Sequence, residues 1–109
     1  MWKYDFVTEQ ELEDVMKKVE GFIAAVGGKE VEADFNYKLR RPLQKVFEYN
    51  GRYYGVDSIR FDTKPFIVIE CGTYDELLNN IMEDADPFPY DLTDDQLQKE
   101  VKLSLGIES

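Results

Sequence analysis

Histidine is absent from the 109 residues and cysteine occurs once. Without histidine, Ser-His-Asp and Cys-His nucleophilic catalysis are excluded, as is every histidine-ligated metal site. A single thiol can form no intramolecular disulfide and cannot complete a thiolate zinc site, which fits a reducing compartment. Cys71 closes an apolar stretch and reads as a small buried hydrophobe. As a nucleophile it would need a lowered pKa, and no neighbour in sequence supplies one. The glycine motifs that cradle phosphate are also missing: neither G-x-x-x-x-G-K-[ST] nor G-x-G-x-x-G occurs, and Gly27-Gly28 is too brief to replace them. Apolar runs such as Phe66–Ile69 fall far short of the ~20 residues of a membrane helix. The opening MWKYDFVTEQ lacks the apolar core of a secretory leader. A soluble, cytoplasmic protein with no cofactor and no metal is expected.

Positive charge is scarce as well. Thirteen Lys and Arg face twenty-three Asp and Glu, leaving a net charge of −10. Phosphate backbones and anionic membranes should repel such a chain, so its natural complement is a basic protein. Disorder is disfavoured nonetheless, because 43% of the residues are apolar and seven Tyr, seven Phe and one Trp are present. A chain of this length forms one domain, residues 1–109, burying about two-thirds of its unfolded surface.

What is present is a set of clear structural signals. Asn50-Gly51, between two aromatic-rich runs, predicts a type I′ hairpin, since that turn needs positive φ at both central positions. The turn sets Tyr49 opposite Arg52, Phe47 opposite Tyr54 and Lys45 opposite Val56. Leu43, Phe47, Tyr49, Tyr54 and Val56 then share the core face, and Val46, Glu48, Tyr53, Asp57 and Ile59 a mixed, half-wet one. Phe66–Cys71 is the most apolar strand and is expected inside the sheet. Val31, Ala33, Phe35, Tyr37 and Leu39 alternate with polar residues as a first strand, and Trp2, Tyr4 and Phe6 suggest an edge strand or an arm.

Three capping boxes open helices: Thr8 with Glu11, Thr73 with Glu76, and Thr93 with Gln96. Leu12, Val15, Met16, Val19, Phe22, Ile23 and Val26 give the first helix its apolar stripe, ended by Gly27-Gly28. Leu77, Leu78, Ile81, Met82 and Ala85 stripe the second, which Pro87 and Pro89 stop. Leu97, Val101 and Leu105 stripe the third, ended by Gly106. The expected fold is α+β, a four-stranded antiparallel meander in the order α-β-β-β-β-α-α with helices packed on one face. An αβββα core is also that of double-stranded-RNA-binding domains, but the acidic balance argues against that activity.

Charge is unevenly distributed. Residues 38–64 carry seven bases against Glu48, Asp57 and Asp62, whereas residues 75–98 carry eight acids and no base. Asp75, Glu76, Asp94 and Asp95 suit the positive ends of helices, and solvated charge favours solubility. Glu83, Asp84, Asp86 and Asp91 have no such role. An EF-hand read from Asp84 fails, with Phe88 fifth, Pro89 sixth instead of Gly, and Asp95 twelfth. The remaining reading is a surface that imitates a phosphate backbone and docks on a Lys/Arg channel. Its expected residues are Glu83, Asp84, Asp86, Asp91, Asp94 and Asp95 for charge, with Phe88 and Tyr90 as aromatic anchors stiffened by Pro87 and Pro89. The opposite reading packs both aromatics inward as a lid between helices.

In size, acidity and lack of catalytic motifs the chain is similar to phage anti-defence inhibitors, the anti-CRISPR and anti-restriction proteins, and to immunity proteins that neutralise nuclease toxins. That likeness implies a non-enzymatic inhibitor occupying the nucleic-acid-binding surface of a partner such as a defence nuclease. The alternatives are an immunity protein, a structural or adaptor domain using Arg40, Arg41, Lys45, Arg52 and Arg60, and an enzyme built on two converging carboxylates.

Overall fold

A computed structural model of the chain describes residues 7–31, 45–61, 64–78 and 84–107. The elements run α1 (Glu9–Ala25), β1 (Lys29–Val31), β2 (Val46–Tyr49), β3 (Arg52–Phe61), β4 (Lys64–Gly72), α2 (Tyr74–Leu78), β5 (Asp84–Pro89) and α3 (Asp94–Ser104). All five strands form one antiparallel sheet in sequence order. The fold is α+β, but with five strands rather than four.

The hairpin at the centre has the expected register. Asn50 and Gly51 take φ of 52° and 84°, and Tyr49 faces Arg52 while Phe47 faces Tyr54. The Glu48 carboxylate accepts the Gly51 N–H at 2.9 Å, fastening the turn from within. Phe47, Tyr54, Val56, Ile67, Ile69 and Phe88 line the face that α1 and α3 cover, and Leu12, Met16, Val19, Ile23, Leu97 and Val101 close the core from the helix side. The second face is drier than expected at its centre, where Val46, Val68 and Glu70 are buried.

The helix ends follow their sequence signals. Thr8 and Thr93 are N-caps that accept the backbone N–H three residues on, at 3.1 and 3.2 Å. The bond is returned at Thr93 by Gln96 and at Thr73 by Glu76, completing two of the three expected boxes, whereas at Thr8 the described residues show only the hydroxyl's half of the pair. α1 and α3 both close in Schellman turns: Gly28 N–H reaches Ile23 O at 2.9 Å, and Ile107 N–H reaches Lys102 O at 2.8 Å. Gly27 and Gly106 supply the left-handed residue in each, with φ of 108° and 74°. Glu20, buried on α1, accepts the Lys45 N–H at 2.9 Å and so ties the helix to the entry of β2.

Two expectations need correction. The second helix does not extend to Ala85: α2 is described over Tyr74–Leu78, and Asp84–Pro89 is a fifth strand paired with β4. Pro87 and Pro89 end helical order but are compatible with an edge strand. Proline cannot donate to a neighbouring strand, which suits β5 to the edge of the sheet, where it pairs with β4 alone. This extra strand is what places β4 inside the sheet. The helices do not all lie on one face either, because the Tyr74 ring of α2 packs, tilted by 52° with centroids 5.5 Å apart, against Tyr53, which alternates with the buried Tyr54 and so belongs to the opposite face. The first strand is seen only as Lys29–Val31. The rest of its expected span, and the arm at Trp2, Tyr4 and Phe6, lie outside the described residues.

Candidate functional site

β5, the turn after it and α3 carry seven of the eight residues singled out from sequence; Glu83 lies outside the described residues. Alternation along β5 places Asp84, Asp86 and Phe88 on the helix-covered face, opposite Cys71, Ile69 and Ile67 of β4. Phe88 is only 3% exposed and belongs to the core. It is therefore not a presented anchor. Phe88 lies beside the fully buried Ile67 of β4 in the core, where burying its ring gains more than exposure would. Tyr90 packs against the same core and is half-buried, so the inward arrangement holds for both rings.

The carboxylates remain at the surface. Asp84, Asp91, Asp94 and Asp95 are exposed, and Asp86 is half-buried. Asp84 accepts from Arg52 Nη2 at 3.0 Å, with the side chains 76% and 48% exposed. Asp94 accepts from Lys18 Nζ on α1 at 3.0 Å, and Asp86 Oδ2 accepts the Ser104 hydroxyl at 2.6 Å. Exposed pairs of this kind are each worth about 0–1 kcal/mol. They hold the side chains in place without cancelling their availability to another cation.

β5 and the C-terminal end of α3 enclose an open groove of about 420 Å³. Among its residues Tyr54, Cys71, Leu103 and Ser104 were not expected at a site, and Arg52 was expected only on the alternative adaptor face. Cys71 is half-buried, not buried, and its Sγ accepts the Arg52 Nε–H at 3.2 Å. That bond holds the Arg52 guanidinium above its ordinary pKa. Burial, and then the Cys71 thiol, push the Tyr54 phenol up to about 12. Burial, and secondarily Asp86, push Glu100 above the usual carboxylate value. The row Phe47–Tyr54–Cys71–Asp84 runs straight across the sheet. It becomes readable from sequence once 84–89 is recognised as a strand.

Of the basic residues foreseen for an adaptor face, Lys45, Arg52 and Arg60 each lie within 4.0 Å of a carboxylate, on Glu30, Asp84 and Glu9. Arg40 and Arg41 are outside the described residues. Among the described residues no three His, Cys, Asp or Glu side chains gather as metal ligands, and no helix is long and apolar enough to cross a membrane. Compared with known proteins, the chain matches no family model, no curated protein and no solved structure.

Proposed function

We propose that the protein is a non-enzymatic, acidic binding protein that covers the basic, nucleic-acid-binding surface of another protein, in the manner of an anti-defence inhibitor of a nuclease. The observation that supports this most is the clustering of exposed Asp84, Asp91, Asp94 and Asp95 along one strand-turn-helix segment in a chain of net charge −10. Lys18 and Arg52 reach two of these carboxylates only through exposed pairs, which a partner's lysines and arginines can replace at little cost. A surface of this kind is attracted to a phosphate-binding channel over a distance set by the ionic strength.

The test is a competition. Labelled duplex DNA is bound to purified defence nucleases and nuclease toxins, and each complex is titrated with the protein. Displacement is expected, weakened by about tenfold or more in Asp94→Lys/Asp95→Lys, since like charges now meet across the interface. Displacement that ignores this reversal removes the start of α3 from the interface. Displacement confined to a toxin nuclease identifies an immunity protein, and no displacement at all contradicts the reading.

A further inference from the structure

The proposed reading concerns a surface, but the groove beside it has the chemistry of a specific subsite. Its lip is formed by Leu103, which is 65% exposed and is the most exposed large apolar side chain among the described residues. Ile69 and Leu105 continue that apolar wall inward, while Asp84 and Asp86 face them from β5. Each aspartate has one oxygen engaged, Asp84 Oδ2 by Arg52 and Asp86 Oδ2 by Ser104. The other oxygens accept no hydrogen bond from the described residues. The C-terminal end of α3 closes the groove and turns the negative end of its dipole toward the same space. A cation with an aliphatic stem complements every wall: methylenes against Leu103, charge between the two carboxylates.

A guanidinium already occupies part of this space. Arg52 enters from the hairpin, donating Nη2–H to Asp84 and Nε–H to Cys71, yet stays half exposed. We propose that the groove is the receptor for one arginine side chain of the basic partner, and that Arg52 is an internal stand-in which the incoming guanidinium displaces. This rests on the reading given under Proposed function and assigns its specific contact. Arginine fits better than lysine because a planar fork can bridge two carboxylates that a point charge would meet one at a time.

The test uses the intact protein, isotopically labelled, with hexa-arginine and hexa-lysine peptides as probes at low ionic strength. Hexa-arginine should shift the Arg52 Nε–H signal and the amides of Asp84–Asp86 and Leu103–Gly106. Asp84→Asn/Asp86→Asn should weaken binding by about tenfold, the loss expected from removing charge-assisted hydrogen bonds. Arg52→Gln should tighten binding at the groove several-fold, whereas Lys18→Gln, which changes net charge equally but frees Asp94, should not. If the double variant loses its fold, which the same spectra reveal, Arg52→Gln and Leu103→Ala carry the test, the latter weakening binding. Shifts confined to Asp91–Asp95 and α1 overturn the groove while the wider acidic-surface reading stands. Equal shifts with hexa-lysine overturn the assignment to arginine, unchanged affinity in Arg52→Gln overturns the stand-in, and no shift anywhere overturns both readings.

Discussion

At the scale of single residues, the same side chains divide into those that hold the fold and those free to do something else. Phe88 belongs to the first group. Truncating it to Ala should cost about 3–5 kcal/mol, the loss typical of a buried aromatic, and denaturant titration would show this whether or not a partner is present. A variant that kept its stability but lost binding would return Phe88 to the surface. Tyr54 makes a prediction in pH. Its phenol ionises at about 12 in the fold against an ordinary 10.0, so between those values the unfolded chain has released a proton that the folded one retains. The contribution of Tyr54 to stability is therefore fully present below pH 10.0 and is lost as pH rises toward about 12. Tyr54→Phe should flatten that part of the alkaline profile relative to the parent, and parallel profiles would contradict the burial of the hydroxyl. Glu100 has a consequence of the same sign, felt at lower pH because it is a carboxyl: stability is lost as pH rises above the ordinary carboxylate value. Because its carboxyl is pushed up by burial and by Asp86, its ionisation works against the fold, and Glu100→Gln should raise the unfolding midpoint at neutral pH.

At the scale of elements, capping and edges decide the outcome. Thr93 caps α3 with its hydroxyl while Gln96 returns the bond to the Thr93 N–H at 2.9 Å. Thr93→Ala should cost ~1 kcal/mol, read as a drop in the denaturation midpoint. β5 stands at the sheet edge and contains Pro87 and Pro89. Replacing both by Val restores two edge donors, and concentration-dependent association in sedimentation is expected where the parent shows less. The helix starts, their glycine ends and the central hairpin register were all legible, because each rests on local chemistry: an oxygen three residues before its N–H, or a turn only Asn-Gly tolerates. β5 was not legible, because proline gives the same local signal at a helix stop and on an edge strand. Only the tertiary fact that β4 needs a partner on its far side separates the two. The groove was hidden for the same reason. Arg52, Cys71 and Asp84 come from three strands, and their meeting depends on the register of the strand that went unseen. The acidic ridge itself was legible by composition, but the burial of Phe88 within it follows from the alternation along β5.

At the scale of the whole molecule, the balance of −10 sets how the protein meets others before any contact forms. Unpaired negative charge raises encounter rates with cationic surfaces and lowers them with nucleic acid, and salt removes both effects over a Debye length of roughly 8 Å at physiological ionic strength. Internal pairs such as Lys18 with Asp94 trim this field locally without reversing it. The account therefore stands or falls on an interaction with a steep salt dependence that resides in the association rate. The decisive measurement is the association rate constant with a partner identified by DNA displacement, followed from low to high ionic strength. A fall of about tenfold or more, with the dissociation rate nearly constant, is predicted for a steered acidic surface. An association rate indifferent to salt would contradict it.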